Sequence, residues 1–316
     1  MRGHDFIPHA KTWLGTMLRT SPHPHRPTLR RCLAALALGL LLAGCRQLES
    51  IPYTPPQTPE SWLSIQPYVG LVILSRTVIL VQPTTTALVY ALGLLGIGVG
   101  AYLLRIRGGQ RSRLWWGVAL ILWGVGALLA GTSYEAFSYY IKCAGRAACL
   151  WTSGWEIGYL LLSVASVDAI VLAQAYACAA GRARRRLSLY AAANLALYGV
   201  ALLVGTLIPI RFLISFEFLL VVTAPSIVLV IVHNAWRYNR LKRRLDRVLL
   251  GTWAGLALTI AAYFVYLISG FTQRLWSQGR WFSENDVLHL GLIAWMIYIA
   301  LALAPQLADE PQPGVS

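Results

Sequence analysis

The stretch TTALVYALGLLGIGVGAYLL at residues 85–104 decides the fold, because it holds twenty residues without a charge. A helix of about 20 apolar residues spans the roughly 30 Å hydrocarbon core of a bilayer. Six more stretches of similar character follow it. We place the seven spans near 85–105, 114–136, 155–178, 187–208, 211–235, 248–270 and 286–304. The sequence therefore predicts an all-α, polytopic membrane protein with a seven-transmembrane-helix bundle over residues 85–305.

The composition excludes several other classes of protein. Apolar side chains make up 57% of the 316 residues and charged ones only 12%, against roughly 25% charged in soluble proteins. A soluble enzyme, a disordered tail protein and a disulfide-framed secreted module are excluded. The net charge of +15 would suit nucleic acid, but the basic residues cluster in short loops. We therefore expect membrane lipids as partners, and no nucleic acid.

The distribution of Arg and Lys predicts the orientation of the bundle. The loops after the first, third and fifth spans hold 14 basic residues, whereas the alternate loops hold five. Basic loops stay on the cytoplasmic side, so the amino end is expected outside and the short tail 306–316 in the cytoplasm. This pattern predicts a multi-pass protein of the bacterial cytoplasmic (inner) membrane.

The amino terminus is typical of a processing signal. A basic segment that ends at Arg31 precedes the eleven-residue apolar run 33–43, which is too short to cross a bilayer as a helix. The following Leu42-Ala43-Gly44-Cys45 resembles the cleavage box of bacterial lipoproteins. That resemblance implies that residues 1–44 are a signal peptide and that Cys45 is lipidated. An uncleaved short signal anchor is the alternative, and Met17 is a second possible start.

Residues 45–84 are expected to form an outer-face linker and cap. The Pro-rich segment 51–59 has the composition of a linker. Residues 62–81 are rich in β-branched side chains around Arg76 and lack a helical period. An outer cap or an interfacial hairpin is favoured there over an eighth span, because a central Arg is costly in lipid.

Two of the cysteines share one outer loop. Cys143 and Cys149 are separated by five residues, and an oxidising compartment would allow a disulfide between them. Two free thiols are the alternative. Cys178, at the inner end of the third span, is expected to be a buried, inert thiol.

Ionisable side chains inside an apolar span are functional candidates by default. Five of them fall in the outer third of the predicted bundle and would form an outward-facing pocket, with Tyr159 one turn from Glu156. The five are Glu135, Glu156, Glu217, Asp286 and His289. Asp286 and His289 are i,i+3 neighbours, so the carboxylate could orient the imidazole. Asp168 points away from this group, and His233 is expected at the cytoplasmic interface.

Structural roles for the same acids are open alternatives. Asp286 follows Ser283 and Asn285 and could cap its own helix. Glu217 could pair with Arg211 or Arg76. In a second interpretation, His289, Asp286, Glu135 and Glu156 bind a divalent metal.

Seven helices with the amino end outside resemble two families in topology. Microbial rhodopsins attach retinal to a Lys in the last helix, but none of the three lysines here (Lys11, Lys142 and Lys242) lies within a span; retinal is excluded. The alkaline ceramidase superfamily of membrane hydrolases has His-x-x-x-His in its last helix, whereas here His289 is followed four residues later by Ile293. The resemblance to ceramidases is thus one of topology only.

Three functions remain from the sequence. The first is a binding or sensory protein for a small or lipid-like ligand in the outer pocket. The second is a metal-dependent lipid hydrolase that uses the four candidate ligands. The third is a transporter, although no inverted repeat is visible.

Overall fold

The computed structural model of the protein describes residues 47–311. The predicted signal peptide (residues 1–44), the lipidation at Cys45 and the second start at Met17 lie outside these residues. So do residues 312–316 of the predicted tail.

Helices dominate the described chain, and seven of those within residues 47–311 are long and apolar enough to cross a membrane. In chain order the elements are α1 (Pro59–Ser64), β1 (Tyr68–Ile73), β2 (Arg76–Val81), α2 (Pro83–Arg105), α3 (Arg111–Ala130), α4 (Gly154–Cys178), α5 (Gly181–Leu207), α6 (Phe216–Leu241), α7 (Arg244–Ser269), α8 (Phe271–Ser277) and α9 (Glu284–Tyr298). Wider π-helical turns extend α3 over Gly131–Ala136 and α9 over Ile299–Leu303. The predicted number of long apolar helices is confirmed.

Two helix starts differ from the prediction by five residues or more, for local reasons. α5 begins at Gly181 and not near 187, because the intervening arginines are good helix formers that continue the helix beyond its apolar part. α6 begins at Phe216 and not at 211: Arg211–Ile214 forms a separate 3₁₀ turn. The Ser215 side chain then accepts a hydrogen bond from the Phe218 amide and caps α6.

Six of the long helices form a closed ring in the order α2, α3, α4, α6, α7 and α9, while α5 lies outside it against α4. α2 and α3 approach closely because glycines face each other. A Cβ added at Gly100 would lie 2.6 Å from the Gly117 carbonyl oxygen, and one at Gly124 would lie 2.5 Å from the Gly93 carbonyl oxygen. Glycine thus allows the close packing of these two helices.

The segment before α2 departs from an all-α fold. It contains α1 and an antiparallel hairpin of β1 and β2, so of the two expected forms it takes the hairpin. The Pro-rich segment 51–59 is not a free linker, which corrects that prediction. Its backbone bonds to the loop after α3, with Tyr53 N–H donating to the Cys149 carbonyl (3.0 Å) and Cys149 N–H to the Gln57 carbonyl (2.8 Å).

The disulfide between Cys143 and Cys149 is confirmed. Both sulfur-bearing residues are buried beside Trp62, and Cys178 is a buried free thiol. We call the end of the bundle that carries this disulfide loop the disulfide side. The opposite end, with the loops after α2, α4 and α6, is the arginine side.

Candidate functional site

A buried ion pair lies at the disulfide side, between the turns that follow α3 and the start of α4. Lys142 Nζ is 2.6 Å from Glu156 Oε1, and the two side chains are 3% and 2% exposed. The Ser133 hydroxyl donates to the same carboxylate oxygen at 2.7 Å and lies 2.8 Å from the Ser153 hydroxyl. The π-helical turns at the end of α3 bring Ser133 to the start of α4, and Glu156 is therefore well satisfied.

The Lys142 ammonium is enclosed by aromatic rings as well as by Glu156. It lies 4.7 Å from the centroid of the Tyr134 ring and 5.7 Å from that of Trp62, with the Trp151 carbonyl oxygen 3.5 Å away. A carboxylate and aromatic faces together are a favourable environment for an ammonium group. Sequence reasoning counted Lys142 only as a loop charge. The available signal was the residue type, because Lys142 is a lysine whereas nearly all other basic residues of the chain are arginines.

Glu135 is also buried, but it has no comparable partner. Its Oε2 atom accepts no hydrogen bond from any residue between 47 and 311. Its charge interacts with those of Lys142, Asp286 and Glu156. We name the three acids Glu135, Glu156 and Asp286 the carboxylate cluster. The Lys142 ammonium is the one cation that forms an ion pair with these three carboxylates among the described residues.

Asp286 mainly caps its own helix. Its Oδ2 atom accepts hydrogen bonds from the Ser283 amide (2.5 Å) and hydroxyl (3.0 Å), which completes a capping box. Its Oδ1 atom is buried and accepts no hydrogen bond from the described chain, although the Thr84 and Thr85 hydroxyls are nearby.

His289 is not oriented by Asp286, contrary to the expectation from their spacing. The capping box turns the carboxylate toward the residues that precede α9. The imidazole is 8% exposed, and its Nδ1 atom has no hydrogen-bond partner within the region that the structure covers.

The structure does not bring every candidate into this group. Tyr159 lies beside it, with its ring edge-on to Tyr134 at 6.2 Å. Glu217 is exposed in the first turn of α6 and does not belong to the buried group, which corrects its assignment to the pocket. Its suggested partner Arg211 instead donates to the Thr54 hydroxyl and the Pro52 carbonyl.

The proposed metal ligands are not arranged around a common point. No three His, Cys, Asp or Glu side chains of residues 47–311 lie close enough to hold a metal ion. In the four-residue set His289, Asp286, Glu135 and Glu156, the Glu156 carboxylate is occupied by Lys142 and that of Asp286 by its cap. The side chains therefore give the metal interpretation no support.

A second polar group, which sequence reasoning missed, lies at the arginine side. Arg237 Nε is 3.0 Å from Asp246 Oδ1, and Arg237 and Arg243 contact the Glu310 carboxylate at 3.1 and 2.7 Å. We call these four residues the tail cluster. Burial by itself raises the pKa of Glu310, but hydrogen bonds from Arg243 and Arg237 and their charges outweigh it and lower the pKa below its usual value.

Asp168 has a separate contact, as expected from its direction. Both of its carboxylate oxygens accept from the Asn194 amide at 3.0 and 3.1 Å, across the interface of α4 and α5. His233 lies near the arginine side, with Nε2 3.3 Å from the Cys178 carbonyl oxygen.

The chain matches a known sequence family. The sequence profile of DUF6962, a family of unknown function, matches residues 84–307, which is most of the chain and contains nearly all of the seven long helices. No curated protein matches the chain.

Proposed function

Because the chain belongs to DUF6962, whose function is unknown, we propose a function from the chain's own geometry. The protein is a multi-pass membrane protein that binds a small, positively charged ligand at the carboxylate cluster. The ligand carries an amine, either as a free molecule or as the headgroup of a lipid.

The proposed topology places the disulfide side outside a bacterial cytoplasmic membrane and the arginine side in the cytoplasm, with Cys45 as an outer lipid anchor. Seven apolar helices support the insertion. The excess of basic residues in the arginine-side loops supports the direction. The Cys143–Cys149 disulfide supports an oxidising surrounding for the opposite side.

The observation that carries the ligand proposal is a pair of buried carboxylates, Glu135 and Asp286, neither of which forms an ion pair within residues 47–311. Glu135 and Asp286 each present a buried oxygen that accepts no hydrogen bond from the described residues, and their charges interact with each other. An uncompensated charge in an apolar surrounding is expensive. A bound cation would give both carboxylates a partner and would reduce the repulsion between them.

The surroundings of Lys142 indicate which class of ligand would suit this site. Lys142 already places one ammonium between Glu156 and the face of Tyr134. Carboxylate and aromatic groups of this kind recognise amines. A primary or quaternary amine is therefore a better match for the remaining carboxylates than an anion or a neutral solute.

The ligand test uses the full protein in nanodiscs, with ethanolamine, choline and spermidine as probes and thermal unfolding as the measurement. We expect at least one amine to raise the melting temperature, since a ligand that binds only the folded state stabilises it. Glu135→Gln should abolish the shift. Glu217→Gln is the matched control and should keep it, because Glu217 is exposed and outside the cluster.

The lipid composition of the nanodiscs is varied to distinguish a lipid headgroup from a free amine as the ligand. Nanodiscs with ethanolamine headgroups should stabilise the wild type but not Glu135→Gln if the ligand is a lipid. Free amines should act in glycerol-headgroup nanodiscs if it is not. The absence of any amine effect in both kinds of nanodisc would overturn the ligand proposal.

The topology is tested separately with two single-cysteine variants. Gln273→Cys lies on the disulfide side and Asn239→Cys on the arginine side, and both positions are exposed. A membrane-impermeant maleimide added to spheroplasts should label the first and spare the second until the cells are lysed. The reverse pattern would show that the bundle is inverted.

A further inference from the structure

The hairpin before α2 ends in an unusual turn. Leu74 and Ser75 are its two central residues, and both have positive φ angles (49° and 64°). Turns of this kind strongly prefer Asn and Gly, because a large side chain is disfavoured at positive φ. The side chain at the tip is nonetheless a leucine, and it is 94% exposed.

Apolar side chains also project from both faces of the hairpin. Leu71 pairs with Val78 on one face, and Val72 pairs with Thr77 on the other. Leu71 is 44% exposed and Val72 is 77% exposed. A protein partner that packs on a sheet covers one face or one edge, whereas lipid surrounds a tip on all sides.

The hairpin joins an aromatic surface at the end of α3. The Tyr140 hydroxyl accepts from the Ile79 amide (3.1 Å) and donates to the Thr77 carbonyl (3.2 Å), so it covers the outer edge of β2. Tyr134, Phe137 and Tyr140 are all exposed large side chains. Aromatic residues at the end of a spanning helix are typical of the level where membrane and water meet.

We infer that the tip of this hairpin inserts Leu71, Val72 and Leu74 into the outer leaflet of the membrane that the bundle spans. The inference rests on the proposed membrane topology. The apolar residues enter the boundary between headgroups and acyl chains, and Arg76, next to the turn, contacts lipid phosphates. The hairpin thereby attaches the protein to the membrane in addition to the helices and the proposed lipid anchor at Cys45.

The depth of insertion is limited by the backbone. The tip extends about 13 Å from Gly70 to Leu74 at roughly 3.3 Å per residue. The described sheet has only two strands, so the outer edge of β1 exposes backbone amides and carbonyls that are costly in hydrocarbon. Insertion therefore stays at the interfacial depth of about 5–10 Å that amphipathic segments reach.

The test places an environment-sensitive NBD label on Leu74→Cys in proteoliposomes of the full protein. We expect a lipid-borne quencher with its spin label near the headgroups to quench this position strongly and aqueous iodide to have little effect. Gln278→Cys, an exposed position between α8 and α9, is the aqueous control and should behave in the opposite way. Wild-type protein should not label.

Three outcomes decide the inference. Lipid quenching of residue 74 supports it. Iodide quenching as strong as at residue 278 would place the tip in water, and protection from both quenchers would place it against protein; either result overturns it. A label at Leu94→Cys, which is exposed in the middle of α2, tests whether the bundle itself is inserted. If a quencher deep in the acyl chains does not quench this label, the proposed topology is wrong and not only the inference about the hairpin.

A second variant guards against misfolding of the tip. Leu74→Asn suits the turn better than leucine does, so it preserves the hairpin while it removes the apolar tip. With the label moved to Val72→Cys, we expect Leu74→Asn to reduce quenching by the lipid-borne quencher and to increase quenching by iodide. Unchanged lipid quenching in this background would mean that Leu74 does not anchor the tip.

Discussion

The buried Lys142–Glu156 pair illustrates how single residues shape this protein. Two charges that are almost fully removed from water have lost most of their hydration, and their attraction and hydrogen bonds must offset that cost. Here Ser133, the Trp151 carbonyl and the Tyr134 ring supply the additional contacts. The pair is therefore more sensitive to losing one partner than to losing both.

We predict that Lys142→Met destabilises the protein by about 3–5 kcal/mol, because it leaves the Glu156 charge buried without a cation. The double variant Lys142→Met with Glu156→Gln should recover a large part of that loss. The measurement is the free energy of unfolding in detergent.

Arg146→Met is the matched control in the same loop. Its ion pair with Glu49 is exposed, and such pairs contribute little. The role assigned to Lys142 would be refuted if Arg146→Met and Lys142→Met destabilised the protein equally.

At the scale of elements, the α2–α3 interface depends on the position of each glycine. Gly93, Gly96 and Gly100 face α3, whereas a Cβ at Gly98 would meet no atom within 4 Å. The sequence shows four glycines within eight residues, but only the packed helices separate those that need to be small from the one that does not.

We predict that Gly100→Ala costs about 1–3 kcal/mol of stability, because its Cβ would lie 2.6 Å from the Gly117 carbonyl oxygen. Gly98→Ala should be neutral or stabilising by up to about 1 kcal/mol, since alanine favours the helix. Thermal unfolding of the two variants side by side is the measurement. Equal destabilisation by both changes would contradict this packing.

At the scale of the whole molecule, the end of the chain ties several helices together at the arginine side. The Asp309 carboxylate accepts hydrogen bonds from the Arg111 and Ser112 amides at the start of α3. Glu310 contacts Arg237 of α6 and Arg243 of the following loop. The predicted cytoplasmic tail is thus, up to residue 311, a structural part of the bundle.

We predict that Glu310→Gln lowers stability by about 1 kcal/mol near neutral pH and that this difference from the wild type vanishes in acid. The pKa of Glu310 is lowered in the folded protein. Its stabilising effect is therefore complete above the unfolded pKa of about 4.3 and is lost as the pH falls through the lower, folded pKa.

Unfolding of both proteins across this pH range measures the effect. A difference between Glu310→Gln and the wild type that stayed constant down to about pH 2 would rule out the ion pairs as its cause.

The sequence by itself determined the seven apolar helices and indicated the disulfide pair that the structure confirms, because these depend on local composition and on short separations along the chain. Charge counts likewise predict an orientation without any knowledge of packing. The tertiary structure alone decided which acids meet. Glu156 pairs with Lys142 and Glu135 is buried near them without an ion pair, whereas Glu217 is exposed and Asp286 caps its own helix. The reason is physical. Every π-helical turn or cap at the end of a helix changes the direction in which the following side chains point, and the packing of the helices then determines which groups a buried charge contacts. Pairs such as Glu310 with Arg237 join residues far apart in sequence, and no local pattern encodes them.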